Sequence, residues 1–117
     1  MIPKALMILL FFATINPALA QVTLLDDFEF SAPWQPIASD GVKIDTSTVA
    51  GFSGRGIRID FDFVAGAGYC GIQKPFPMAL PANYKFTFYV KADAPVNNFE
   101  FKLLDESGDN VWWVNQR

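Results

Sequence analysis

Seven consecutive residues, Ile57-Arg-Ile-Asp-Phe-Asp-Phe63, alternate without exception between apolar and charged. A repeat of two places every apolar side chain on one face of a strand and every charge on the other. The same alternation recurs in Tyr84–Lys91, where Tyr84, Phe86, Phe88 and Val90 oppose Lys85, Thr87, Tyr89 and Lys91. It recurs in Phe99, Phe101 and Leu103, set against Glu100, Lys102 and Leu104. Val42–Val49 predicts an exposed strand, and Tyr69–Lys74 a weaker one ended by Pro75 and Pro77. Val22–Phe30 predicts a first strand, with Leu25, Asp27 and Glu29 on one side and Leu24, Asp26, Phe28 and Phe30 on the other. Ser31–Pro36 cannot continue it, because its two prolines remove donors and fix φ. Turn formers separate these runs at 39–41, 51–56, 66–68, 93–95 and 105–110. No helical period occurs beyond residue 20. Short strands joined by Gly, Pro, Asn and Asp turns predict an all-β fold, an antiparallel β-sandwich with a Phe-rich core between two sheets.

The stretch Asn97–Asn115 reads as strand, turn, strand. Asp105-Glu-Ser-Gly-Asp-Asn110 forms the turn, and Val111-Trp-Trp-Val114 returns. Adjacent residues on a strand face opposite ways, so Trp112 and Trp113 cannot share a face. Trp113 shares parity with Val111 and is expected in the core. Trp112 is then the ligand-facing ring, although Val114 on its face leaves room for further strands to pack there. Trp34, in the Pro-rich loop, is expected to plug the end of the core.

Residues 1–20 carry the marks of a signal peptide: Lys4, an apolar run from Ala5 to Ile15, the break at Asn16-Pro17, and a small-x-small site at Ala18-Leu-Ala20. The apolar run is too short for a bilayer core, which needs roughly 20 residues. Cleavage predicts a secreted product (periplasmic, extracellular or cell-surface) with no membrane span. Removing 20 of the 117 residues leaves 97, a single domain. Without Lys4, 8 basic residues face 12 acidic ones, a net charge of −4. An acidic chain lacking a basic run argues against nucleic acid as a partner. There is no His, the commonest acid–base catalyst and metal ligand. The one Cys, Cys70, cannot form an internal disulfide and is expected as a buried free thiol, with intermolecular pairing the alternative.

Several stretches together resemble a known family: Leu25-Asp-Asp-Phe-Glu29, the loop Trp34, Gly54–Phe63, Leu80-Pro-Ala-Asn-Tyr-Lys-Phe-Thr-Phe88, and the hairpin ending in Trp112-Trp113. They look like a galactose-binding-like β-jelly-roll. Within that group they resemble family 11-type carbohydrate-binding modules and the N-terminal modules of secreted glycoside hydrolases and discoidin-domain (coagulation factor 5/8 type) proteins. The resemblance covers nearly all of residues 24 to 115. It implies a non-catalytic module, here residues 21–117, that targets an attached enzyme or surface protein to polysaccharide. Such jelly rolls have about eight strands, and six or seven are legible here. The chain is therefore expected to be the N-terminal portion of a longer protein, incomplete at its C-terminus. Its partners would be a glycan and further domains of the same chain, one of which could be a glycoside hydrolase.

Sugars bind by stacking on an aromatic ring while polar side chains take the hydroxyls. The candidates are Trp112, Tyr89, Lys91, Lys102, Glu100 and Asn115. The resemblance also implies a structural Ca²⁺ near the first strand, for which Asp26, Asp27, Glu29 and Asp40 are the available oxygen donors. Asp60 and Asp62 lie on one face about 7 Å apart, a spacing that invites glycosidase chemistry. Arg58 alternates with them, however, as on an ordinary solvated strand face. The competing reading is a structural or adhesion jelly roll that packs on a neighbouring domain and binds no sugar.

Overall fold

The computed structural model describes residues 21–117; the predicted signal peptide lies outside them. The described chain is all-β and antiparallel. Its strands are β1 (Gln35–Ala38), β2 (Val42–Ala50), β3 (Arg55–Phe63), β4 (Cys70–Gln73), β5 (Phe99–Leu104) and β6 (Val111–Gln116). They form three two-stranded sheets, β1–β4, β2–β3 and β5–β6. No described helix is long and apolar enough to cross a membrane. Two compact units divide the chain after Pro77.

In the first unit the alternation of Ile57–Phe63 does what its period requires. The register sets Val42, Ile44, Thr46 and Thr48 opposite Phe63, Phe61, Ile59 and Ile57, giving one apolar face. The other face carries Lys43, Asp45 and Ser47 opposite Asp62, Asp60 and Arg58. β1 pairs with β4, and Ser39 and Tyr69 extend that contact: Ser39 N donates to Tyr69 O at 2.9 Å, and Tyr69 N to Ser39 Oγ at 2.9 Å. Pro36 sits within β1, opposite Ile72. A proline is tolerated on a strand whose second edge has no ladder, and β1 has only β4 as a strand neighbour among the described residues.

The predicted first strand does not form: residues 22–30 join no ladder. Asp26 Oδ1 accepts the N–H of Phe28 at 2.7 Å, and Asp27 Oδ1 accepts the N–H of Glu29 at 3.1 Å. Two successive Asx turns take the donors that a ladder would use. Phe28 adopts φ 57°, in the left-handed region.

In the second unit β5 and β6 form the predicted hairpin. Its loop is organised by Asp105, whose carboxylate accepts from Ser107 Oγ at 2.6 Å, Gly108 N at 3.0 Å and Asn110 Nδ2 at 2.5 Å. Gly108 takes φ 75°, which the turn requires and Gly supplies without a steric penalty. The predicted strand Tyr84–Lys91 has no ladder; of its predicted inward residues Phe86 and Phe88 meet the hairpin, while Tyr84 and Val90 are more than half exposed. Phe86 stacks near Phe101 at 5.2 Å, and Phe88 lies 5.3 Å from Phe101 and 6.0 Å from Phe99. No described residue is fully buried. The apolar contacts are small half-covered clusters, one of them this phenylalanine group.

Candidate functional site

The β5–β6 register decides which side chains share a face. Glu100 lies opposite Asn115, Lys102 opposite Trp113, and Leu104 opposite Val111. Directly opposed residues project to the same side of a sheet. One face therefore carries Glu100, Lys102, Trp113 and Asn115, with Leu104 and Val111 near the turn. The other carries Phe99, Phe101, Leu103, Trp112 and Val114.

Both tryptophans are exposed, and the register puts Trp113 rather than Trp112 on the polar face. Trp113 is not in the core: it is 61% exposed and stands among the polar groups. Val111, which seemed to anchor Trp113 inward, itself lies on the polar face opposite Leu104. Trp112 is on the phenylalanine face, opposite Leu103, and is 59% exposed.

The polar groups around Trp113 are tied together. Lys102 Nζ lies 2.8 Å from Glu100 Oε2, and Asn115 Nδ2 donates to Glu100 Oε1 at 3.2 Å. The Lys102 hydrogen bond, with a smaller contribution from Asn115, holds the Glu100 carboxyl below the ordinary carboxylate range. The result is a flat aromatic ring beside an ammonium, a carboxylate and an amide, all reachable from water. Such a set can stack on an apolar sugar face and exchange hydrogen bonds with hydroxyls. Of the predicted residues, the ladder brings Glu100, Lys102 and Asn115 together. Tyr89 and Lys91 lie on the 84–91 segment, outside this ladder, and Trp112 is on the opposite face.

Asp26 and Glu29, two of the carboxylates proposed for calcium, bond to other groups of the chain. Asp26 Oδ2 pairs with Lys74 Nζ at 2.5 Å, and Glu29 Oε1 accepts the N–H of Arg55 at 2.8 Å. Among the described residues no group of three or more Asp, Glu, His or Cys side chains is gathered to hold a metal. Asp26 and Glu29 tie the 26–29 loop to Lys74 and to the start of β3, while Asp27 accepts only the local N–H of Glu29.

Lys74 also lies 5.1 Å from the Phe76 ring centre and 6.0 Å from that of Trp34. Trp34 stacks on Phe28 at 5.2 Å and meets Phe76 edge-on. It is half-buried in this small cluster rather than at the end of a closed core. Its Nε1 is buried without a hydrogen-bond partner. From outside hydrogen-bond geometry the indole N–H adds a weak pull on Asp26. Burial pushes the Asp26 carboxyl up, but Lys74 and the Phe28 N–H outweigh it, and the group stays below its ordinary value of 3.8. Asp60 is engaged by Arg58 at 2.7 Å on an exposed strand face. Cys70 is free and half-buried, and burial pushes its thiol up.

No family model, curated protein or solved structure matches the chain.

Proposed function

We propose that this chain is a secreted, non-catalytic carbohydrate-binding module whose platform is the polar face of β5–β6. Trp113 supplies the stacking ring; Glu100, Lys102 and Asn115 supply hydroxyl partners. Its role would be targeting, by holding an attached domain near its polymer and so raising effective concentration. The observation that carries this reading is an exposed indole on a strand face that is otherwise charged and polar, beside a preformed Lys102–Glu100–Asn115 network. A preformed network needs little side-chain ordering when ligand arrives.

The structural or adhesion reading draws on the opposite face, where Trp112 and Val114 are exposed beside Leu103. Affinity electrophoresis through gels containing β-glucan, xylan or galactan separates the two. Under the carbohydrate reading one polymer retards the protein, Trp113→Ala abolishes the retardation, and Trp112→Ala keeps it. Unretarded migration in every gel would leave the structural reading in place; retardation indifferent to Trp113 would remove this face as the platform.

A further inference from the structure

Charge is placed unevenly along the β5–β6 hairpin. The loop 105–110 carries Asp105, Glu106 and Asp109 and no basic residue. At the opposite end, one step beyond the ladder, Arg117 Nε donates to Asn98 Oδ1 at 3.1 Å. The register pairs Phe99 with Gln116 and Glu100 with Asn115, so alternation puts 98 and 117 on the side of Glu100, Lys102, Trp113 and Asn115. Moving away from the turn, the polar face presents the Trp113 ring with Lys102 across from it, then Glu100 and Asn115, then Asn98 and Arg117.

The two cations on this face differ. Lys102 Nζ lies 2.8 Å from Glu100 Oε2, so their charges largely cancel and a ligand meets them as a donor and an acceptor. Arg117 is held by a neutral amide, and among the described residues no carboxylate forms an ion pair with it. Its charge is therefore the uncompensated one on the face. The bond to Asn98 uses Nε and orients the group. It leaves Nη1 and Nη2, a planar fork that matches the two oxygens of a carboxylate.

Four residues of strand separate Trp113 from Arg117, about 13 Å. A sugar stacked on the indole and an anion on the guanidinium thus belong to different units of one polymer lying along β6. Glu100 and Asn115 stand between them, where they meet hydroxyls. The carboxylates of the loop repel a polyanion at the turn end, so its acid group is directed to the Arg117 end. We infer that the ligand is a carboxylate-bearing (uronate-type) polysaccharide, one ring of which stacks on Trp113 while the acid group of a neighbouring unit pairs with Arg117. This inference rests on the carbohydrate reading and adds the charge of the polymer to it.

Tryptophan-emission titrations test it with β-glucan, xylan and galactan, each as the neutral polymer, as its carboxymethyl derivative and as its sulfate ester. For the backbone that binds, the carboxymethyl form is expected to bind about fivefold more tightly than the neutral one, the scale of an exposed but well-oriented ion pair. That preference shrinks at high salt. Arg117→Gln is expected to erase the preference, leave affinity for the neutral polymer unchanged and leave the near-ultraviolet circular dichroism unchanged. Equal affinity for the neutral and carboxymethyl forms, or a preference that survives in Arg117→Gln, overturns the inference and leaves the carbohydrate reading standing. Tighter binding of the sulfate ester than of the carboxymethyl form overturns the assignment to a carboxylate. No binding of any form removes the carbohydrate reading, and this inference with it.

Discussion

The two long hairpins, β2–β3 and β5–β6, are built on the same alternation but use it differently. β2–β3 pairs nine residues a side, and its apolar row is largely half-buried. Its outer face is mostly polar and charged, with Arg58 paired to Asp60 and Val49 at the end. β5–β6 pairs six residues a side and leaves every residue of β6 exposed. Its polar face holds an indole, and its apolar face is covered only over β5, by Phe86 and Phe88. A ring placed among charges adds nothing to a core. Under the proposed reading, β2–β3 is scaffold and β5–β6 is the part that meets a ligand.

The largest effect should come from Phe101→Ala, which removes the ring touched by both Phe86 and Phe88. Its cost is about 2 kcal/mol, below the full-burial range because Phe101 is half-buried. Urea denaturation measures this, and a loss under about 0.5 kcal/mol would show that the 84–88 segment contributes no packing to β5. Gly108→Ala comes next, at about 1 kcal/mol, because the loop holds residue 108 at positive φ.

Acid sharpens the comparison further. Asp26 keeps its carboxyl below 3.8 through Lys74 and Phe28. A depressed folded value means stability that is fully present above the unfolded value and is lost as pH falls through the folded one. Stability should therefore drop as pH falls below about 4. Asp26→Asn should flatten part of that drop, as read from melting midpoints between pH 5 and 2.5. A drop of the same steepness in the variant would remove Asp26 from the account. The smallest effect is expected from Glu100→Gln: an unchanged melting midpoint, with glycan affinity down by about threefold as one charge-assisted partner is weakened.

The hairpins were legible because alternation and turn chemistry agree there: Ile57–Phe63 and Phe99–Leu103 alternate, and Asp105–Asn110 closes its own loop. Residues 22–30 misled because alternation counts side chains and not donors; Asp26 and Asp27 captured the backbone N–H groups instead. In 84–91 the inward Phe86 and Phe88 were legible, but the exposure of Tyr84 and Val90 and the missing ladder were not, since ladders depend on a neighbour far away in sequence. Pro36 looked like a breaker because its tolerance depends on having an open edge. At the site, parity correctly separated Trp112 from Trp113, but its apolar neighbour Val111 was a false guide to the core. The cross-strand partner Lys102 decides the face, and only the register reveals it.

The most direct measurement is tryptophan emission during titration with soluble β-glucan, xylan and galactan, run on the wild type, Trp112→Phe and Trp113→Phe. The account predicts a saturable change with one polymer in the wild type and in Trp112→Phe, and its loss in Trp113→Phe. A change that survives in Trp113→Phe, or no change with any polymer in the wild type, would contradict it.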